Sequence, residues 1–232
     1  ETSLILAAKK ANTNIIDALI KAGVDINIKD YYGNTALMSI VKKRSIMNTT
    51  KMRTSVVNLL IERGADMDIQ DNDGDTVLMK AIDHLDKDVA CILIDAKANI
   101  DIQNHSGKTG LIIAADPFEL SRAYHKDRYF NQVDIVNALL NANANKNIVD
   151  NDGCTALMYS ILKDNLDISL ILIEDDVDLD IKNNNGETAL WLATYMNNID
   201  IVEALIKGGA NINERDNHGN TALIIAAVKN CY

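Results

Sequence analysis

A glycine, followed two residues later by threonine, a small residue and leucine, returns six times along this chain of 232 residues. The copies are Gly33-Asn34-Thr35-Ala36-Leu37, Gly74-Asp75-Thr76-Val77-Leu78, Gly107-Lys108-Thr109-Gly110-Leu111, Gly153-Cys154-Thr155-Ala156-Leu157, Gly186-Glu187-Thr188-Ala189-Leu190 and Gly219-Asn220-Thr221-Ala222-Leu223. Successive glycines stand 41, 33, 46, 33 and 33 residues apart, which reads as a 33-residue unit carrying insertions of 8 and 13 residues. A unit of that size cannot bury its own apolar face. A chain built of such units therefore has to stack them.

Within a unit the order is a polar tip such as Asp71-Asn72-Asp73 or Asp150-Asn151-Asp152, then the glycine, the threonine and an apolar run. The glycine supplies the positive φ of a tight turn. The threonine is a natural N-cap for a first helix, whose alternating leucine and alanine give it a narrow packing face. About twenty residues on, Ile201, Val202, Leu205 and Ile206 follow helical spacing and mark a second helix. A small-residue turn, Gly208-Gly209-Ala210-Asn211-Ile212-Asn213, then leads to the next tip.

This pattern resembles the ankyrin repeat over essentially the whole chain. The resemblance implies an all-α solenoid of helix-turn-helix units joined by β-hairpin tips. It departs from the family signature in having Ala, Val or Gly where a proline would follow the threonine, as in Thr188-Ala189-Leu190-Trp191. Asn-rich pairs such as Asn197-Asn198 stand where Gly-His turns between helices are usual. The reading divides residues 1–232 into one array with units near 1–29, 30–70, 71–103, 104–149, 150–182, 183–215 and 216–232. That is about six stacked units and a partial last one. A first helix without its tip at Thr2-Ser3-Leu4-Ile5-Leu6-Ala7-Ala8, and a last helix without a partner at Ala222 to Cys231, predict a fragment of a longer protein.

A formal net charge of -10 argues against nucleic acid and membrane surfaces as partners of the body of the chain. No apolar run reaches the length of a membrane span. Cys91, Cys154 and Cys231 are too few and too scattered for a disulfide framework, which fits an intracellular setting. The 27 Asn and 30 Ile make up about a quarter of the chain and read as the mark of an AT-rich genome rather than of special chemistry.

Asp71 to Gly74 and Asp150 to Gly153 invite a calcium reading. With Gly74 at the sixth position of a calcium loop, Ile69 and Lys80 fall at its first and twelfth; with Gly153, Ile148 and Tyr159 do. None of the four ligates calcium, so the acids read as tip residues. His84, His105, His125 and His218 fall in different units without metal-ligand spacing. No phosphate loop is present. The expectation is no enzyme, no metal and no cofactor.

What remains is a binding surface. In the family resembled, ligands sit on the concave face made by the tips and the exposed side of the first helices. The matching residues here are Tyr31, Tyr32, Asn34, Asn72, Asp73, Asp75, His105, Ser106 and Lys108, then Asn151, Asp152, Asn184, Asn185, Glu187, Asn217 and His218 on the tips. On the first helices they are Lys9, Lys10, Lys42, Lys43, Asp83, His84, Asp116, Tyr195 and Met196. Tyr31, Tyr32 and Tyr195 are the expected anchors, although a tyrosine at a tip also has the option of packing on the next tip. The resemblance further implies asparaginyl hydroxylation just before the tips, at Asn27, Asn147 and Asn213. Asp68, Asp101 and Asp180 hold that place elsewhere, so a local backbone hydrogen bond made equally by Asn or Asp is the competing reading.

The insertions, near Ser45 to Met52 and Phe118 to Phe130, are placed between the first and second helices of their units. From Val41 to Ile61 five residues are basic and none acidic. In a chain with 4% aromatic residues, the second insertion holds both phenylalanines, Phe118 and Phe130, with Arg122, Tyr124, His125, Lys126, Arg128 and Tyr129. Loops of that length are usually functional or disordered. The aromatics therefore read either as a second binding surface or as a local hydrophobic patch. The function expected is a monomeric scaffold binding one partner protein through the concave face and the insertions. The alternative is the recognition domain of a larger enzyme or ubiquitin-ligase adaptor. The unit style also resembles ankyrin proteins of giant DNA viruses, or of intracellular bacteria, which implies a host protein as partner in the host cytoplasm.

Overall fold

The computed structural model describes residues 1–41, 49–116 and 126–229, with side chains from residue 131 onward in the last span. Each recurring threonine starts a short helix. Thr2, Thr76, Thr109, Thr155 and Thr188 each accept, on the side-chain oxygen, the backbone N–H three residues on. Thr35 does the same for Met38. The first helices are α1 (Ser3–Lys9), α3 (Ala36–Val41), α5 (Val77–Asp83), α7 (Gly110–Ala115), α9 (Ala156–Leu162), α11 (Ala189–Tyr195) and α13 (Ala222–Lys229). The second helices are α2 (Thr13–Lys21), α4 (Thr50–Glu62), α6 (Lys87–Asp95), α8 (Lys126–Asn141), α10 (Leu166–Glu174) and α12 (Ile199–Lys207). First helices pack on first helices and second on second, which gives two layers and an all-helical solenoid. The tips are tight turns, and no strand occurs among the described residues.

The core runs between the layers. Leu37, Leu78, Leu111, Leu157 and Leu190, the leucines of five of the motifs, are 1–4% exposed, and Val56, Leu93, Leu139, Leu172 and Leu205 meet them from the second helices at 0%. Burying one such side chain stabilises by about 2–3 kcal/mol. The residue three places after each motif leucine is small in α5, α7, α9 and α11 (Ala81, Ala114, Ser160 and Ala193), all at 0–1% exposure. That lets the first helices approach closely.

The turns between helices keep the expected Asn pair at Asn197-Asn198 and vary at the left-handed position elsewhere. The left-handed residue is Ala11, Leu85, Asp164 or Asn197, with φ of 50–55°. The next residue is more regular: Asn12, Asn165 and Asn198 each cap the following helix through the side-chain oxygen. Leu85 holds this costly conformation while 5% exposed, its side chain joined to the core.

Asparagine also joins the tips, so its abundance has a chemical use that the codon argument missed. Asn72, Asn151, Asn184 and Asn217 each donate a backbone N–H and a side-chain N–H to carbonyls of the preceding tip, at 2.8–3.1 Å. His105 keeps the backbone bond, to Asp73 at 3.1 Å. The tips approach so closely that a Cβ on Gly153, whose φ is +76°, would lie 2.8 Å from the Asn184 nitrogen.

The insertions lie between α3 and α4 and between α7 and α8. Part of each is helix rather than loop: α4 has 13 residues and α8 has 16, against 9 in every other second helix. Arg53, in the added turn of α4, is 8% exposed and pairs with Asp86 at 2.8 Å. In α8, Gln132 donates to the Ala114 carbonyl at 2.7 Å.

A candidate protein-binding surface

Each tip is closed by one acceptor. Asp30, Asp71, Asn104, Asp150, Asn183 and Asp216 each take, on a single side-chain oxygen, the N–H groups two and four residues on. The tip acids therefore make turns. Among the described residues no cluster of three or more His, Cys, Asp or Glu side chains is arranged to hold a metal ion.

On the first of these tips Tyr31 and Tyr32 are 87% and 63% exposed. Their rings meet edge to face, with centroids 5.4 Å apart. The next tip is bonded to their backbone carbonyls, through Asn72. Tyr195 is placed differently. It stacks on Trp191 at 5.3 Å and carries Lys229 over its ring at 3.8 Å, which leaves it 44% exposed beside Met196 at 41%. Tyr195 ends α11 while the tyrosine pair precedes α3, and α5, α7 and α9 stand between. The three expected anchors thus form two patches at separate places along the groove.

Between them the groove is ionic. Lys80 reaches Asp71 at 2.5 Å and Asp75 at 3.8 Å. Burial pushes the Asp71 carboxyl up, but Lys80 and the N–H groups of Asp73 and Asp75 outweigh it and hold the group below the ordinary carboxylate range. Burial raises Asp75, which also accepts from Asn104 at 2.9 Å. Lys108 pairs with Asp116 at 2.5 Å and lies 4.3 Å over the Tyr159 ring. Asp116 also takes Lys163 at 2.9 Å. Tyr159 donates to Asp150 at 2.7 Å, and its hydroxyl is pushed upward by burial and by that carboxylate. Burial, and then the neighbouring Asp150 carboxylate, push the Cys154 thiol up to about 11, which favours the protonated thiol at neutral pH.

Of the residues expected at the surface, Asp73 and His105 are exposed tip residues, and His84 caps α5 with its Nδ1 3.4 Å from Asp83. Asp75 and Lys108 are half-buried and already paired. Lys42, Lys43, Phe118, Arg122 and Tyr124 lie outside the described residues. Arg128, Tyr129 and Phe130 belong to the first turns of α8. Lys80, Tyr159 and Lys163 were not expected in the groove. The first two stand four residues after their capping threonines, a position where donors face the tip acceptor.

Asn27 and Asn147 accept the N–H of Asp66 and Asp178 in the next unit, at 2.9 and 3.0 Å. Asp68, Asp101 and Asp180 do the same for Asn99, Asn145 and Asn211. The bond joins units rather than staying local, and Asn and Asp make it alike. Asn213 is exposed, its N–H donated to Asn211.

Two layers of short antiparallel helices, with capped turns projecting from one edge, define a repeat solenoid. The three-copy profile for ankyrin repeats matches residues 46–119, 128–183 and 176–232, and the single-repeat profile matches residues 1–31. The chain belongs to the ankyrin-repeat family. Among solved structures it is similar to the ankyrin repeat domain of Bcl-3, described as a unique member of the IkappaB protein family, with TM-score 0.79 and 22% identity over 97% of this chain and 93% of that one. It is also similar to the human ASB11 ankyrin repeat domain, with TM-score 0.70 and 19% identity over 97% and 91% of the two chains. At these identities the likeness is one of fold. No curated protein sequence matches the chain.

Proposed function

We propose that the chain is a non-catalytic array that holds a partner protein along the groove of tips and first helices, with the two insertions as a second contact. The observation that carries this reading is the tyrosine pair. Tyr32 is 63% exposed in a chain with 4% aromatic residues, and aromatic side chains of this kind gain their energy at interfaces. In the groove Lys80, Lys108 and Lys163 pair with Asp71, Asp75 and Asp116, while the tip residues Asp73 and His105 stay exposed, which suits a recognition surface that orients a charged partner. The narrower expectation, a host-cell protein met inside the cell by a monomeric array, rests on the style of the units. The proposal is of a protein partner, with no nucleic acid or membrane involved; among the described residues no helix is long and apolar enough to cross a membrane.

Capture from host-cell lysate by the tagged chain, followed by affinity measurements on variants, tests this. Replacing Tyr31 and Tyr32 by Ala should weaken binding by more than about 2 kcal/mol in total, with little change in melting temperature. Replacing Tyr124, Arg128 and Tyr129 by Ala should weaken it independently. Unchanged affinity in both variants would overturn the proposal. Loss of folding in the second would show that those aromatics are core.

A further inference from the structure

The tips act as controls for one another, because each builds the same turn and carries its own residue four places after the capping threonine. In the third unit that residue is Lys80, whose ammonium meets Asp71 Oδ2 at 2.5 Å. In the fifth it is Tyr159, whose hydroxyl meets Asp150 Oδ2 at 2.7 Å. Where the turn acceptor is an uncharged amide, Asn104 or Asn183, the equivalent residue is apolar, Ile113 or Leu192. In the last unit Asn220 itself donates to Asp216 Oδ2 at 3.1 Å. A carboxylate at the turn thus comes with a donor for its second oxygen.

The second unit breaks the rule. Asp30 Oδ1 accepts the N–H groups of Tyr32 and Asn34 at 2.9 and 3.0 Å, but the equivalent residue is Ser39, whose hydroxyl is spent on the Ala36 carbonyl at 2.7 Å. Among the described residues no donor meets Asp30 Oδ2. Beside it Asn34 is 4% exposed; its side-chain N–H reaches Asp30 Oδ1 at 3.4 Å, and its own Oδ1 has no partner among the described residues. A pocket of about 170 Å³, lined by Asp30, Tyr31, Tyr32, Asn34 and Ser39, opens where a longer side chain stands one unit further on. Lys9 also lines it, and its ammonium is hydrogen-bonded to Glu1. Glu1 lines it as well, so two carboxylates, Glu1 and Asp30, face the pocket with the one ammonium of Lys9. A buried acceptor without a donor is unfavourable until something supplies one.

We propose that this pocket receives a lysine side chain of the partner protein. The ammonium pairs with Asp30 Oδ2 and Asn34 Oδ1, as Lys80 pairs with Asp71 and approaches Asp75, and the methylenes lie along the Tyr31 and Tyr32 rings. This deepens the concave-face reading and rests on it.

The probe is a capped Gly-Lys-Gly peptide, titrated into the chain and followed by ¹⁵N NMR. Saturable shifts should appear at the Asn34 side-chain amide and the Tyr32 and Gly33 backbone amides, with a millimolar Kd. Acetylating the lysine should weaken binding at least about tenfold. Asp30→Asn keeps the turn acceptor, as Asn104 and Asn183 show, and should abolish the shifts at an unchanged melting temperature. Ser39→Lys should fill the pocket from within and abolish them too. Absence of saturable shifts, equal binding of the acetylated peptide, tighter binding of a Gly-Arg-Gly peptide, or wild-type binding by Asp30→Asn would each overturn the lysine assignment. Loss of partner binding in the Tyr31 and Tyr32 variant would stand regardless, so the two proposals fail separately.

Discussion

Asp71 shows how one side chain serves the turn, the groove and the pH response together. One oxygen holds the N–H groups of Asp73 and Asp75, and the other holds Lys80. Its carboxyl is held below the ordinary range. A depressed carboxylate contributes stability at neutral pH that is lost as pH falls from about 4 downward, through the folded-state value. Asp71→Asn should keep the turn and lose the Lys80 pair, a cost of about 1–3 kcal/mol at pH 7. Melting curves against pH are expected to show the variant's deficit at pH 7 shrinking in acid, and a deficit that grows below pH 4 would refute the assignment. The turn and its glycine were legible in the sequence because their logic spans four residues. The Lys80, Tyr159 and Lys163 contacts were not, since they depend on how a helix faces its own tip or a neighbouring unit. The oxygens of Asp30 and Asn34 that meet no donor among the described residues were invisible for the same reason.

Among the elements, α4 and α8 depart most from the pattern. Counting residues located both insertions, but not their conversion into added helical turns, because that depends on partners in the adjoining layer. Arg53 is the clearest case. Asp86 caps α6 without a side-chain hydrogen bond, whereas Asn12, Asn165 and Asn198 cap their helices directly. Its carboxylate is given over to Arg53, whose own buried Nε has no partner among the described residues. A buried pair of this kind is costly to halve and inexpensive to replace. Arg53→Met alone should destabilise by about 3–5 kcal/mol, through the stranded Asp86. Adding Asp86→Asn should restore the melting temperature to wild type or above, since asparagine caps this turn elsewhere. A double variant no more stable than the single would show that the pair does more than fill its site.

At the scale of the whole molecule, stability is a sum over units and their interfaces. Leu157, 1% exposed in a central unit, should cost about 2–5 kcal/mol on replacement by Ala. Leu223 carries the same motif position but is 77% exposed on α13, so Leu223→Ala should fall within about 0.5 kcal/mol of wild type. Equal losses in denaturant melts would contradict a stack in which each unit leans on its neighbours. The same geometry sets what the molecule offers a partner: a line of tips bonded to one another, an ionic groove, and exposed tyrosines in two patches along it. Hydrogen exchange measured by mass spectrometry on the free chain and on its complex with the captured partner addresses this directly. The account predicts added protection over residues 30–41 and along the tips at 71–75 and 104–108, with the turns after the second helices, such as 208–213, unchanged. Protection confined to those outer turns and the second helices would contradict it.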